Sequence, residues 1–314
     1  MPAKKQKNEH ENFYNCFRVD LSLKGKEFHG DCPFCNKVNH FFVSSEDGRF
    51  QCKSCSVQGN HYSFMNQLLE TAQKQMRDQS INWLAANRSI DRRVLHWAGI
   101  AASPIGELTY FIPSKNDDGR LVNLYRAIVD KDQKLEIRSA SAPCKQELYG
   151  RETIKNHDIV FVVEGHWDRL ALIEVLANIK ISNITKPPGE WKISPSQFDL
   201  TGGTLGTIAV VGLPGVGSFK EDWVNCLRAK TVIVITDNDK DRKICNVCKG
   251  PAFPADEACP KCDGTEGRVI NPGKDGMEVI LNKLTESQLV DKIYKLSWKP
   301  DDRIKDIRDL LCLR

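Results

Sequence analysis

No hydrophobic run in the sequence approaches the roughly 18 to 20 residues that a transmembrane helix needs. The lysines near the N-terminus are not followed by the apolar segment of a secretion signal. An excess of one charge is also missing, since 45 Lys and Arg oppose 41 Asp and Glu, for a net charge of +4. With 40% hydrophobic residues and a mean hydropathy of −0.42, the 314-residue chain is expected to be a cytoplasmic protein of two or three globular domains without a membrane partner.

Cysteine, by contrast, is plentiful. The chain has 12 cysteines, and eight of them form four C-x-x-C pairs. Disulfides would be the usual reading in a small secreted protein, but the sequence gives no sign of secretion. The pairs therefore predict metal sites in a reducing compartment.

The first two pairs have the spacing of a closed tetrahedral zinc site, C-x2-C-x16-C-x2-C. Their cysteines are Cys32, Cys35, Cys52 and Cys55. The stretch between the pairs alternates apolar and polar residues around Asp47-Gly48, which predicts a hairpin. We expect a zinc ribbon over residues 1–70, closed by a helix that begins near Ser63.

The next two segments differ in their periodicity. Apolar residues recur at helical spacing through residues 71–104, which predicts a helical connector. Two alternating strands on either side of the turn at residues 116–119 then predict a small β-rich part over residues 105–156.

From Asp158 onward, short apolar strands alternate with helices, a pattern typical of a parallel sheet with helices on its faces. The predicted strands are DIVFVV, TIAVVG, TVIVIT and a fourth strand, RVI, which precedes a helix at Met277–Leu284. The polar stretch 182–204 fits neither pattern and predicts an inserted loop. The fold class is therefore mixed, α+β and α/β, in several domains.

Acidic residues follow the predicted strands of this sheet. They are Glu164, Asp168, Asp237, Asp239 and Asp275. Because ligands bind beyond the carboxyl ends of parallel strands, and because clustered carboxylates repel one another, these acids indicate a magnesium or manganese site. Helix capping is the alternative for a single acid after a strand.

In their order along the chain, these motifs resemble the Toprim domain, with its E-G-x-x-D motif at Glu164 and Asp168 and its D-x-D motif at Asp237 and Asp239. The N-terminal half, including FRVDLSLKGKEFHGDCPFC and WLAANRSIDRRVLHWAGI, resembles the zinc module and connector of DnaG-type and bacteriophage primases. Many bacterial members have a histidine where Cys35 stands, so the ligand set looks like the all-cysteine site of phage primase-helicases. The resemblance covers nearly the whole chain and implies a Toprim domain over residues 157–285.

The resemblance implies a DNA primase, which copies a single-stranded DNA template into a short RNA primer from ribonucleoside triphosphates. Divalent cations at the five acids would assist nucleotidyl transfer, with Glu164 as either a ligand or the general base. Phosphates or template would be bound by Arg126, Arg138, Lys145 and Lys274. Template bases would contact the ribbon through residues such as Phe42, Phe50 or His61.

A second cysteine quartet departs from the usual primase pattern. It consists of Cys245, Cys248, Cys259 and Cys262, within a loop at residues 244–264 between the D-x-D motif and the sequence GKDGME. The loop has few apolar residues, so we expect a second zinc ion to stabilise it. A purely structural role is the simplest interpretation, because a closed sulfur site has no open coordination position.

Residues 286–314 carry two amphipathic patterns broken at Pro300 and predict a helical tail. The sequence lacks a G-x-x-x-x-G-K-[ST] phosphate loop, so a replicative helicase is expected as a separate partner. Two other functions share parts of the pattern: a RecR-like DNA-binding recombination protein without catalysis, and a Toprim nuclease. The connector and the β-rich part favour a primase over both.

Overall fold

The computed structural model describes residues 8–105, 108–215, 218–248, 252–254, 257–261, 267–296 and 306–312. The chain divides into two compact units, residues 1–147 and residues 148–314. Within the described residues, no helix is long and apolar enough to cross a membrane. The predicted fold class is confirmed, with a zinc ribbon, a β-rich part and a parallel sheet with helices.

The first unit begins with the zinc ribbon, whose five strands form one antiparallel sheet in chain order. The elements of the unit are α1 (Glu9–Cys16), β1 (Leu21–Lys24), β2 (Glu27–Gly30), β3 (Phe41–Ser44), β4 (Phe50–Cys52), β5 (Gln58–Gly59), α2 (His61–Gln75), α3 (Asp78–Arg88), α4 (Arg92–Trp97), β6 (Ala101–Ala102), β7 (Thr109–Lys115), β8 (Leu121–Val129) and β9 (Leu135–Arg138). The predicted hairpin lies between β3 and β4, and Gly48 supplies its left-handed residue, with φ of +66°.

The ribbon and the β-rich sheet β6–β9 share one hydrophobic core. Aromatic side chains of α1 and α2 fill the ribbon side, where Phe13 and Phe64 are fully buried. The same cluster continues to Phe111 of β7 and Leu124 of β8. The sequence pattern separates these parts by a connector, but their apolar faces are buried against each other within the first unit.

The second unit is built on a parallel sheet of four strands in the order β13-β10-β14-β18. Its elements are a 3-10 helix (Arg151–Asn156), β10 (Ile159–Val163), α5 (His166–Ala177), β11 (Ile179–Ser182), a 3-10 helix (Pro188–Glu190), β12 (Lys192–Pro195), β13 (Ile208–Gly212), α6 (Glu221–Val224), a 3-10 helix (Asn225–Leu227), β14 (Thr231–Ile235), β15 (Arg242–Cys245), β16 (Phe253–Pro254), β17 (Gly267–Ile270), α7 (Pro272–Ser287), β18 (Lys292–Leu296) and α8 (Ile307–Cys312). Strands β10 and β13 are buried throughout, as their apolar sequences predict.

Two predictions for this sheet are wrong. The fourth parallel strand is β18, which pairs with β14, whereas the RVI segment forms β17 and pairs with β15 outside the parallel sheet. The predicted helical tail therefore contains a strand at Lys292–Leu296. The segment KIYKL has two adjacent apolar residues, Ile293 and Tyr294, between lysines, and so short a run does not separate strand from helical periodicity.

The predicted insertion at residues 182–204 contains strand β12. This strand pairs antiparallel with β11, which ends where the insertion begins, and Ile181 lies opposite Ile193. A separate small sheet, in the order β16-β15-β17, holds the second group of cysteines. Both additions lie outside the parallel sheet and leave the order of its strands intact.

Candidate active site and zinc centres

The four cysteines of the first quartet come together at one point of the ribbon. Their sulfur atoms all lie within 4.8 Å of one another. The Sγ atoms of Cys32 and Cys55 are 3.8 Å apart, and those of Cys35 and Cys52 are 3.7 Å apart. In a tetrahedral site with zinc–sulfur bonds of about 2.3 Å, the sulfur atoms are separated by about 3.8 Å. The donor set therefore fits a closed zinc site.

The local backbone explains why each C-x-x-C pair converges. Asn36 and Ser56, which follow the two pairs, have φ values of +57° and +61°. A left-handed residue after each pair turns the chain so that both thiols of that pair face the same point. The backbone N–H groups of Ser54 and Cys55 donate to the sulfur of Cys52 at 3.3 and 3.4 Å, which stabilises a thiolate there.

Of the three residues named for contact with template bases, only Phe42 lies near the surface. Phe50 is 3% exposed and His61 is 5% exposed, because both pack in the aromatic core of the ribbon. The expectation that their rings stack on bases is therefore wrong for this conformation. Phe42 is half-buried and lies beside His29, with the ammonium of Lys53 4.0 Å from the ring centre.

Two of the predicted acids meet at the carboxyl end of the parallel sheet. Asp168 lies in the first turn of α5, and Asp237 follows β14. Their carboxylate oxygens lie within 4.8 Å of each other and of a third carboxylate, that of Asp306. Oxygen donors at this spacing suit a hard cation such as Mg²⁺ or Mn²⁺.

Glu164 lies directly beside this pair of acids. Its Oε2 accepts the backbone N–H of Asp237 at 3.0 Å, so the end of β10 holds the segment that follows β14. The motif glycine after it, Gly165, approaches Gly212 of β13 closely. A Cβ atom on Gly212 would lie 2.5 Å from the carbonyl oxygen of Gly165, which requires glycine at that position.

Asp239 and Asp275 stand apart from the three clustered carboxylates among the described residues. Asp275 Oδ2 accepts the backbone N–H of Asn271, while Asn271 caps α7 by accepting from the N–H of Lys274. The amide of Asn271 also donates to the carbonyl oxygen of Asp239 and to Asp241 Oδ1, each at 2.8 Å. Asn271 thus joins the start of α7 to the D-x-D segment, and Asp275 supports this cap from within the first turn of the helix.

The four predicted basic residues have different surroundings. Arg126 donates through its guanidinium to the carbonyl oxygens of Cys16 and Ser139, and burial lowers its pKa. Arg138 forms an exposed ion pair of 2.6 Å with Glu136. The side chains of Lys145 and Lys274 are exposed.

The second cysteine group is also assembled. The sulfur atoms of Cys245, Cys248 and Cys259 lie within 4.8 Å of one another, and those of Cys248 and Cys259 are 3.5 Å apart. The fourth cysteine, Cys262, lies outside the described residues. With Phe253, these three cysteines form the small core of the three-stranded sheet. The donor chemistry fits zinc, because soft thiolates favour it over magnesium.

Three residues of the site were not predicted from the sequence. Asp306 and Arg308 belong to a stretch that is distant in the chain from every motif, and Asn271 looks like an ordinary turn residue. For Asn271 a signal was present, since Asn before Pro272 is a common start of a helix. Asp306 carries a similar signal, since Asp directly before an apolar run is a common helix start, whereas no such signal exists for Arg308.

Comparison with known proteins identifies relatives of the zinc ribbon and of the fold. The family model of the DnaG-type zinc ribbon, the CHC2 zinc finger, matches residues 16–94. The structure of a DnaG primase catalytic domain bound to single-stranded DNA aligns with a TM-score of 0.51 and 14% identity, over 80% of this chain and 74% of that chain. No curated protein sequence matches the chain.

Two further solved structures align over more of the chain, each with a TM-score of 0.43. They are the zinc-binding and RNA polymerase domains of the Aquifex aeolicus primase, with 15% identity over 98% of this chain and 83% of that chain, and the primase fragment of the bacteriophage T7 primase-helicase, with 14% identity over 91% of this chain and 94% of that chain. Residues 16–94 thus match the CHC2 zinc finger, and the alignment with a TM-score of 0.51 shows that the chain has the fold of the DnaG primase catalytic domain.

Proposed function

We propose that this protein is a DNA-dependent RNA primase, which synthesises short RNA primers on single-stranded DNA from ribonucleoside triphosphates. The observation that carries the proposal is the meeting of Asp168 and Asp237 at the carboxyl edge of the parallel sheet, in a chain that also contains a CHC2 zinc finger. The aligned DnaG catalytic domain was solved with single-stranded DNA, which supports the same template here. A replicative helicase is the proposed protein partner.

Magnesium or manganese is proposed at Asp168 and Asp237, whose oxygens suit a hard cation. When bound, these ions would offset triphosphate charge and activate the primer hydroxyl. Glu164 holds the main chain at Asp237 through its hydrogen bond and keeps that carboxylate aimed at the site. Asp239 and Asp275 stay candidate ligands, and Asn271 ties both of their segments together.

Template contact is proposed for the outer face of the zinc ribbon. Phe42 offers a partly exposed ring, and His29 and Lys53 lie against it. A ring with a neighbouring cation suits an unstacked base together with its phosphate. Lys145 and Lys274 are proposed to bind phosphate through exposed ammonium groups, and Arg138 would do so from an exposed ion pair. Arg126 would first have to release its two carbonyl partners.

The decisive experiment incubates the full chain with single-stranded DNA, magnesium and labelled ribonucleotides. We expect short RNA products from the wild type and a loss of at least about 100-fold in Asp237→Asn, because the variant removes charge at the metal site without removing core packing. Asp222→Asn, at an exposed position of α6, is the matched control and should retain wild-type synthesis.

The same experiment separates the rival functions. A nuclease would shorten the DNA in the presence of metal without ribonucleotides, and Asp237→Asn would abolish that cleavage. With a RecR-like function, the wild type and Asp237→Asn would bind DNA equally well, and neither would produce RNA or cleaved DNA. Either result would overturn the primase proposal.

A further inference from the structure

Helix α8 places an arginine among the clustered acids. The Nε of Arg308 lies 3.5 Å from Oδ1 of Asp168, and its guanidinium donates to Asp306 Oδ2. Asp306 is 3% exposed, and the Arg308 side chain is 29% exposed. A positive charge of this chain therefore occupies the acidic edge at which the metal is proposed to bind.

Local structure fixes the arginine in this position. Asp306 precedes α8, and its Oδ1 accepts the backbone N–H groups of Arg308 and Asp309 at 2.9 and 3.3 Å. This capping arrangement explains why Asp306 is buried at the site without requiring it to be a metal ligand. The other oxygen of this carboxylate, Oδ2, accepts a hydrogen bond from the Arg308 guanidinium and so orients it.

An apolar anchor lies between these two charged residues. Ile307 is 3% exposed and lines an apolar groove together with Leu172 and Leu176 of α5 and Ile235 of β14. Burial of this side chain holds α8 to the sheet independently of charge. The sequence Asp306-Ile307-Arg308 thus combines a cap, an anchor and a cation in three consecutive residues.

We propose that Arg308 is a built-in counter-cation of the acidic site, and that divalent metal binding at Asp168 and Asp237 competes with it. The inference rests on the proposed metal site. Carboxylate oxygens of Asp168, Asp237 and Asp306 lie within 4.8 Å of one another, which is close enough for a single cation to contact them together. A metal ion and the guanidinium have charges of the same sign and share Asp168, so each weakens the binding of the other.

Competition also has a structural consequence. If metal displaces Arg308 from Asp168, α8 loses a charged contact and retains the Ile307 anchor. By reciprocity, metal must loosen α8 by the same factor by which α8 weakens metal binding. Arg308 thus partly neutralises the acidic edge in the absence of metal, and α8 is bound less tightly to this edge once the metal binds.

The test is a manganese titration of the zinc-loaded full chain, in which free Mn²⁺ is measured by electron paramagnetic resonance. Arg308→Gln should tighten binding by about tenfold or more, the size expected for loss of a competing charge-assisted contact. Ile307→Ser, which frees α8 without removing the charge, should tighten it as well. Arg308→Lys should stay within about threefold of the wild type, because it keeps the charge.

Arg93→Gln is the matched control, because it removes an arginine of the other unit that is likewise paired with a carboxylate, that of Asp91, and it should leave binding unchanged. Hydrogen exchange gives an independent measurement: saturating Mn²⁺ should speed exchange in residues 306–312 of the wild type. Unchanged or weaker binding in Arg308→Gln would overturn the proposal. Binding that Asp237→Asn leaves unaffected would instead show that the metal site itself is wrong, and the counter-cation with it.

Discussion

Glu164 and Asp237 are joined by a hydrogen bond in which the side chain of the first accepts the backbone N–H of the second at 3.0 Å. The bond runs between the ends of two adjacent parallel strands, β10 and β14. The geometry of the acidic edge therefore depends on a side chain that holds the main chain of Asp237. Charge and positioning at Glu164 can therefore be separated by substitution.

Glu164→Gln keeps an oxygen that can accept the N–H of Asp237 but loses the negative charge. We expect the melting temperature to stay within about 2 °C of the wild type and primer synthesis to fall at least about 100-fold, because a ligand or base at this position needs the charge. Glu164→Ala should also lower the free energy of unfolding, by about 1 to 3 kcal/mol, since it removes the acceptor. If Glu164→Gln synthesised primers at the wild-type rate, the role of Glu164 would be only to position the main chain of Asp237.

Gly273, in the first turn of α7, packs against the main chain of Asp237. A Cβ atom at Gly273 would lie 2.2 Å from the carbonyl oxygen of Asp237, so Gly273→Ala must displace one of the two segments. We expect loss of primer synthesis by about tenfold or more, with a moderate fall in melting temperature, because a small misplacement of a ligand is costly in an active site.

The matched control is Gly189→Ala, where an added Cβ meets no atom within 4 Å. It should leave both synthesis and stability unchanged. Equal activity of Gly273→Ala and Gly189→Ala would mean that the position of Asp237 relative to α7 does not matter for catalysis.

Two zinc ions per chain are expected by elemental analysis of the purified protein. Cys52→Ser and Cys248→Ser should each reduce the content to one, because each changes a different group of thiols. Cys52→Ser should lower the stability of the first unit, whose core continues from the ribbon into the β-rich sheet. Cys248→Ser should weaken the link between Asp239 and Asn271 and slow extension of a preannealed primer. A content of one zinc in the wild type would exclude the second site.

Acid should destabilise the first unit through His61. Burial, reinforced by the neighbouring His10 at 3.2 Å, lowers the pKa of His61 from 6.5 to about 4. The unfolded chain therefore binds a proton at this residue below about pH 6.5, whereas the folded chain stays neutral until about pH 4. The free energy of unfolding should accordingly fall as pH drops through this range and be fully retained above it.

Urea unfolding at pH 7.5 and pH 5.5 checks this dependence. His61→Phe keeps an aromatic ring beside Tyr14 but cannot titrate, so its loss of stability between the two pH values should be smaller than that of the wild type. His96→Gln, at an exposed position, should behave like the wild type. An unchanged pH dependence in His61→Phe would assign the acid sensitivity to other groups.

Much of the acidic edge was accessible from the sequence, because parallel strands end at a common edge whatever their order. Asp168 and Asp237 were placed there by strand periodicity and by the resemblance of the motifs, and the structure brings their oxygens together. Cysteine spacing likewise predicted both groups of thiols, since a C-x-x-C turn is a local structure. The strand at Lys292–Leu296 was missed because a five-residue run cannot distinguish helical from alternating periodicity.

What the sequence determined by itself is local: which segments form strands, which cysteines pair within a turn, and which acids follow a strand. Only the tertiary structure decided the contacts between distant segments. The burial of Phe50 and His61 depends on the packing of α1 and α2 over the ribbon. The approach of Arg308 to Asp168 spans 140 positions and depends on the docking of Ile307 into an apolar groove. No periodicity records such contacts, because they arise from the burial of side chains between elements that are far apart in the chain.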